Sequence, residues 1–422
     1  MLIMNANNTI QTSSGNSEGT RTIFAALFMC AFVAIAVFVG YLNLGSSDIF
    51  VDELICTVGG EAMVPEMIPP DGLCDYIYYT HVAVIQSVMY AVEIKTSWEV
   101  FKLIMHNRTR TSGGIGFDVR YATITQINET TENNLRNLAM NNIKHYGVLN
   151  ILESSVKVKD LYDKAKALLA RLKFIQVSFN TTNAKTLIAF GIFNYLGDNA
   201  YGVLDGMLND AANNHVADTV VAYCSVGWIE RPSECFSHPP SVFYPSDLSG
   251  KAAVEAVRAP YMKTIVNLMR RDKQFTSNSR IGLSFELGTL VYTLKSAQRG
   301  ISKDYVNAAC KNLYVTNFDI VPCLVNTNRN RGELFKGVNL AQSLGDEKQI
   351  MLFESNDTLI YKIKQLADNA TFLRGHMSLL LLNAHLGDFT NPRTATCKAS
   401  DEKDRTDPFE RIRVIRAELG LT

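Results

Sequence analysis

An excess of charge of either sign is missing from this 422-residue chain: 41 basic residues balance 41 acidic ones. No run of lysine and arginine interleaves with aromatics, which argues against a nucleic-acid surface. No second histidine stands at helical or hairpin spacing from His81 or His385, so a zinc site is not expected. The glycine-rich stretch SGGIG at 112–116 lacks both phosphate-loop spacings. Nucleophile elbows and triad signatures are absent, as is any internal repeat of about 20–50 residues. The residues imply no cofactor and no metal.

Charge is also missing from Ile23–Leu42, and Lys and Arg are missing from there to Lys95, whereas Asp48, Asp52, Glu53, Glu61 and Glu66 follow. A hydrocarbon core is crossed by about 20 apolar residues, and the basic flank, here Arg21, belongs on the cytosolic side. The expected layout is a cytosolic tail (1–22), a signal-anchor transmembrane helix (23–42), a stalk (43–73) and an ectodomain (74–422). A cleaved signal peptide and a secreted protein form the alternative. Sequons at Asn107, Asn128, Asn180, Asn356 and Asn369 fit a glycosylated ectodomain. Asn7 also fits the pattern but faces the cytosol in this layout.

Of eight cysteines, Cys30 lies in the apolar segment and seven remain. Cys56 and Cys74, Cys224 and Cys235, and Cys310 and Cys323 flank three loops and are the expected pairs, with Cys397 left over. Other connectivities stay open, because spacing does not fix pairing.

Hydrophobic residues make up 47% of the chain, enough for a sizeable core. Strand-like runs alternate with helical periods: YIYYTHVAVI, GIGFDVRY, VLNIL, TLIAFGIF, TVVAYCSV, IGLSFELGTLVY, QIMLF and MSLLLLNAHL. In the helical stretch KVKDLYDKAKALLARLK, Leu161, Ala165, Leu168 and Leu172 form one apolar stripe. Asp407 and Pro408 suit a helix start and Gly420 a helix end. Buried strands alternating with helices predict an α/β fold with a parallel sheet. Roughly eight strands fit a closed TIM-type (β/α)8 barrel.

The stretch His145–Ser154, HYGVLNILES, reads as a buried strand with a short sequel. With LCDYIYYTHVAV, FDVRY, ADTVVAYCSVGW, SRIGLSFELGTLVYTL and LLLLNAHLGDF it resembles, in order and spacing, the barrel of the family 18 glycoside hydrolases, the chitinase and chitinase-like group. The resemblance covers roughly Cys56–Leu421. It implies that LCDYIYYTHVAV is the first strand, FDVRY the second or third, HYGVLNILES the fourth, ADTVVAYCSVGW the sixth and SRIGLSFELGTLVYTL the seventh. A small α+β insertion falls at about 295–348. The last strand keeps Asp388 and Phe389, and Cys397 and DPFERIRVIRAELG match the closing cysteine and helix.

In that family the fourth strand carries DGLDIDWE, whose glutamate protonates the glycosidic oxygen. On this pattern Gly147, Asn150, Leu152 and Ser154 stand where the three aspartates and the acid belong. A serine hydroxyl is far too weak an acid for that task. Sliding by one residue would offer Glu153 as the acid, but would also turn every side chain to the other face of the strand. The sixth strand's Tyr-Asp pair falls on Ser225 and Val226, and the sugar-stacking tryptophan of the last strand on Leu382.

Other candidates come from the residues alone. Asp118 and Arg120, two apart, would point the same way, as an inward pair at the mouth or as a structural ion pair. Tyr79 and His81 would likewise share a face. Tyr223 and Trp228 can stack on a ligand or pack, and Glu286 is a polar residue in an apolar run. The expectation is a chitinase-like ectodomain without hydrolase activity that binds a glycan or an extracellular protein. The rivals are a hydrolase with a relocated acid (Glu153, Asp118 or Glu286) and a purely structural ectodomain.

Overall fold

The computed structural model describes residues 51–91, 95–179, 183–192, 200–225, 235–247, 260–270, 279–296, 308–317, 330–335, 338–343, 349–373, 375–387 and 409–421. Ile23–Leu42, Asn180, Trp228, Cys323, Asp388 and Cys397 lie outside them. Among the described residues no helix is long and apolar enough to cross a membrane.

Fourteen strands are described. In chain order they are β1 (Glu53–Val58), β2 (Tyr76–Ile85), β3 (Val88–Ala91), β4 (Ser112–Phe117), β5 (Ile143–Glu153), β6 (Thr186–Ile192), β7 (Thr219–Ala222), β8 (Arg280–Glu286), β9 (Thr289–Leu294), β10 (Cys310–Thr316), β11 (Asn330–Phe335), β12 (Val338–Ser343), β13 (Gln349–Phe353) and β14 (Met377–Leu382). Eight parallel strands run β1-β14-β8-β7-β6-β5-β4-β2, and β1 pairs back to β2, closing a TIM-type barrel. The short β3 returns antiparallel to β2 through a turn at Gln86 and Ser87. Strands β10-β9-β13-β12-β11 form a separate antiparallel sheet.

Two expected boundaries move. The barrel's first strand is ELICTV, within the segment read as stalk, so LCDYIYYTHVAV is the second strand and SGGIGF the third. The run IGLSFELGTLVY is two strands: β8 stays in the barrel, while β9 starts the small sheet. QIMLF pairs with β9 and β12 in that small sheet rather than in the barrel.

Packing divides into two apolar layers. Between strands and helices lie Val148, Ile151, Phe190 and Phe285, with Leu168 and Leu172 from the helix Val158–Ser178. Inside the barrel lie Ile55, Tyr78, Leu149, Leu187, Ala189, Val221, Tyr223 and Leu380. Fully burying a side chain of this size stabilises by roughly 1.5–3 kcal/mol. The stretch SGGIG makes room for this inner layer: a Cβ on Gly114 would lie 2.6 Å from the ring of Tyr78. The C-terminal helix, Glu410–Glu418, is capped at Phe409 without a side-chain bond, while Asp407 and Pro408 lie outside the described residues. Gly420 follows it at φ +68°, the left-handed turn that ends helices.

Cys56 is joined to Cys74, tying β1 to the start of β2. The second bridge differs from expectation: Cys235 pairs with Cys310, across 75 residues, not with Cys224, and Cys310 is therefore not paired with Cys323. Cys224 is a buried free thiol donating to the Ser284 carbonyl at 3.0 Å. Loops flanked by cysteines in sequence misled because the segment at 235–241 lies against β10: Cys310 N–H donates to Cys235 O at 2.9 Å, and Phe236 bridges Ala309. Non-reducing peptide mapping is expected to recover the Cys235 peptide linked to Cys310, with Cys224 alkylated only after unfolding. A loop of this length corresponds to about 4 kcal/mol in the chain-entropy account. Recovery of a Cys224–Cys235 link would contradict the assignment.

Candidate functional site

The C-terminal ends of the strands form the mouth where barrel sites are built. At the end of β5 the chain departs from strict alternation. Its register to β6 shifts between Val148 and Ile151. Leu149 stays in the inner layer, Ile151 enters the outer one, and Leu152 then pairs with inward Gly191, whose Cβ position lies beside Leu152 and Tyr223. Glu153 pairs with Ile192, an outer-layer residue. Its Oε1 accepts the N–H of Ser154 at 3.0 Å. The inward register therefore belongs to Leu152, not Glu153. Ser154 is half-buried just past the strand, and its carbonyl accepts from Lys157 and Val158 at 3.0 and 2.9 Å, leading into the next helix.

Gly147 is inward too, with a Cβ position 2.8 Å from Leu149. Asn150 uses Oδ1 to accept the Val119 N–H at 3.3 Å. That contact ties it to the turn after β4, which carries Asp118 and Arg120. These two residues follow the strand instead of lying on it. Asp118 is buried, and Arg120 donates to both its oxygens at 3.1 and 3.0 Å. Burial alone would raise the Asp118 pKa. Hydrogen bonds from the Arg120 side chain and backbone outweigh it and hold the carboxyl below its usual range.

Tyr79 and His81 have different surroundings. Tyr79 packs in the outer layer against Trp98 and Phe101 and hydrogen-bonds Ser97 at 2.5 Å. The β2–β4 register shifts between Thr80 and Val82, which places His81 on an irregularity near the mouth. Burial pulls His81 down to about 4, with Asp118 pulling the other way, so the ring is neutral at pH 7.

Across the mouth, Tyr223 lies in the inner layer and its hydroxyl donates to the Leu149 carbonyl. Glu286, at the end of β8, is almost fully enclosed and pairs in register with Leu382. Its Oε1 accepts the Gly288 N–H at 2.7 Å, and Asn383 Nδ2 reaches both oxygens at 3.1 and 3.0 Å. Desolvation dominates and raises its pKa to about 7, against the lowering by these bonds and by Arg411. The only trace of Asn383 in sequence is a polar residue directly after the apolar run of β14. Ser225 and Ser284 are also met here, their hydroxyls 2.7 Å apart. His385 is a buried structural residue, its Nδ1 accepting from Gly59 at 3.3 Å.

A raised carboxyl has a definite sign in stability. Below about pH 4.5 Glu286 is protonated in both states, and its contribution is fully present. Between there and about 7 the unfolded chain ionises first, so stability is lost as pH rises. The loss is roughly 3 kcal/mol at one pKa unit per 1.36 kcal/mol. Glu286→Gln is expected to flatten that slope in urea midpoints taken at pH 5 and pH 7.5. Parallel curves for variant and parent would rule the shift out.

Three carboxylates thus surround the mouth, each otherwise engaged: Asp118 by Arg120, Glu286 by Asn383, Glu153 on the outer register. Among the described residues no three His, Cys, Asp or Glu side chains converge as metal ligands. A groove of about 440 Å³ lies away from the mouth, beside Lys166, Phe174, Val177 and His215. Lys166 at its edge is already paired with Asp210 at 2.7 Å.

Neither a protein-family model nor a curated protein sequence matches the chain. Solved structures do. Human YKL-39, described as a pseudo-chitinase with retained chitooligosaccharide binding, aligns with TM-score 0.58 at 12% identity, covering 87% of this chain and 99% of that one. The second catalytic domain of the Ostrinia furnacalis Group II chitinase aligns with TM-score 0.57 at 11% identity, covering 88% and 97%. A glycoside hydrolase family 18 N-acetylglucosaminidase from Paenibacillus barengoltzii aligns with TM-score 0.53 at 8% identity, covering 87% and 100%. The chain has the barrel fold of the glycoside hydrolase family 18 chitinases and chitinase-like proteins. The set includes active enzymes and a pseudo-chitinase on the same fold.

Proposed function

We propose that this chain is a non-catalytic chitinase-like ectodomain that binds a glycan at the barrel mouth, held at a membrane by Ile23–Leu42 or secreted. The observation that carries the reading is the end of β5: the inward position is Leu152, the position after the strand is Ser154, and Glu153 has the outer register. On the resemblance, no proton donor stands where the family's acid would, and Leu152 and Ser154 are half-buried there. The likeness to a chitooligosaccharide-binding pseudo-chitinase supports a neutral N-acetylated glycan as the first ligand to try. Asp118 is charge-compensated and His81 uncharged at pH 7, which also suits a neutral ligand.

Calorimetric titration of the purified protein with chitotetraose tests it. Saturable binding is expected, weakened about tenfold or more by Leu152→Lys, a loss of about 1.4 kcal/mol. Absence of heat with chitotetraose and with other neutral oligosaccharides would overturn the reading. Binding indifferent to Leu152→Lys would move the site away from the mouth.

One observation favours the hydrolase alternative. Glu286 is a desolvated carboxyl at the mouth raised to about 7, the range in which a general acid works. Its two bonds from Asn383, and the engagement of the other carboxylates, weigh against it.

A further inference from the structure

The sequons separate by what their side chains already do. We propose that the folded chain carries N-linked glycans at Asn107 and Asn128 and none at Asn356 or Asn369. This rests on the ectodomain reading, since the modification needs the secretory lumen. The reaction joins asparagine Nδ2 to C1 of an oligosaccharide and breaks the bond from C1 to the pyrophosphate oxygen of a lipid carrier. The lipid pyrophosphate leaves with the electron pair and one Nδ2 proton goes to base. The nitrogen then keeps a single N–H and bears a sugar.

Asn369 cannot be so altered without loss. Its Nδ2 donates both hydrogens, to Tyr244 Oη at 3.0 Å and to the Gln365 carbonyl at 2.6 Å, and its Oδ1 accepts from Lys263. A sugar on Nδ2 removes one of these bonds and takes up the space of its acceptor. Asn356 donates to Glu410 at 3.0 Å, tying the helix Asn356–Asn369 to the C-terminal helix. The hydroxyl residue of its sequon, Thr358, is buried, with Oγ1 given to Glu354 at 2.8 Å. A glycan on Asn369 before folding would leave a chain unable to complete its contacts, and one on half-buried Asn356 would have to fit into the junction between the two helices.

The other two are open. Asn107 is exposed just past the helix Lys95–His106 and makes one long bond to Leu103 O at 3.3 Å, so a second N–H remains. Asn128 is exposed and caps the helix Glu129–Met140 with Oδ1, which accepts from Thr130 and Thr131 at 3.0 and 3.3 Å. Capping uses the oxygen; glycosylation uses the nitrogen. Thr131 Oγ1 donates to the Ser87 carbonyl in the β2–β3 turn at 2.9 Å, which places Asn128 at the mouth-side rim. A glycan there would stand near exposed Tyr121 and Ile124.

The test expresses the full chain in a eukaryotic secretory cell and isolates its protease-resistant, folded fraction. Peptide-N-glycosidase in heavy-oxygen water marks each formerly occupied asparagine. Marks are expected at Asn107 and Asn128 and not at Asn356 or Asn369. Asn107→Gln and Thr130→Ala should each remove one glycan-sized step on a gel, the second leaving Asn128 in place as the cap. A mark on Asn356 or Asn369 in the folded fraction, or unmarked Asn107 or Asn128, overturns the assignment. Protease protection in sealed microsomes from the same cells separates the failures. A protected chain with the wrong sites sinks the sorting alone. An unprotected chain sinks the ectodomain reading and the proposal with it.

Discussion

Replacing Lys362 with methionine is expected to cost about 3–5 kcal/mol of stability, the range for leaving one member of a buried ion pair alone. Lys362 and Glu354 are each 1% exposed. The ammonium sits 2.6 and 2.8 Å from the two carboxylate oxygens and donates to the Ser241 carbonyl and hydroxyl at 2.9 and 3.1 Å. Ser241 and Thr358 in turn donate to Glu354 at 2.7 and 2.8 Å. Glu354 directly follows β13, so this cluster joins the small sheet to the helix Asn356–Asn369 and to the loop holding Ser241. Without the lysine, a carboxylate stays in a site closed to water, and its two hydroxyl donors do not replace a full charge. Glu354→Gln combined with Lys362→Met should recover a large part of the loss, because removing both charges also removes their desolvation cost. Urea unfolding of parent, single and double variants checks this. A single-variant loss under about 1 kcal/mol would show that the pair is solvated in solution.

The second large effect is catalytic. Purified protein is expected to hydrolyse chitin oligosaccharides at background rate, since a well-placed general acid is worth about 10²–10⁴-fold and the resemblance puts other replaced residues beside its position. Such losses act as a unit and do not multiply. The combined variant Asn150→Asp, Leu152→Asp, Ser154→Glu is expected to remain poor for two reasons. The resemblance puts Leu382 in place of a stacking ring, and an aspartate at 152 would be set between Gly191 and Tyr223, in the apolar inner layer. Turnover by the unaltered protein that disappears with Glu286→Gln would make this an enzyme with a relocated acid. The same loss with Glu153→Gln would mean that the inward register is misassigned.

The alternation of buried strands and helices was legible because each barrel strand is a short apolar run and each helix has one apolar face. Eight runs suggested eight strands, yet the membership differs by one. ELICTV is short and has acidic neighbours, like a stalk, and QIMLF, buried in the small sheet, has the composition of a barrel strand. Nothing in LSFELGTL announces that the chain leaves the barrel between Glu286 and Thr289. At the mouth, the run HYGVLNILES was legible as a strand, and Asn150 and Leu152 lie on it with Ser154 just past its end. The different surroundings of Tyr79 and His81 were not legible, because a two-residue period fails at an irregularity and the register shift at Thr80–Val82 leaves no mark in sequence. The Cys235–Cys310 bridge was hidden for a related reason: it joins segments that become neighbours only after the small sheet forms.

The close fit of Tyr78 over Gly114 has a consequence for how this lineage can change. A methyl group at position 114 would meet the ring at 2.6 Å, closer than carbon atoms tolerate. Trimming the ring first would open a cavity in the barrel at a cost of roughly 3–5 kcal/mol. Each one-step path passes through a damaged intermediate, whereas the paired change, larger at 114 and smaller at 78, conserves volume. The two positions are therefore epistatic, and among related chains a glycine at the first should travel with an aromatic at the second.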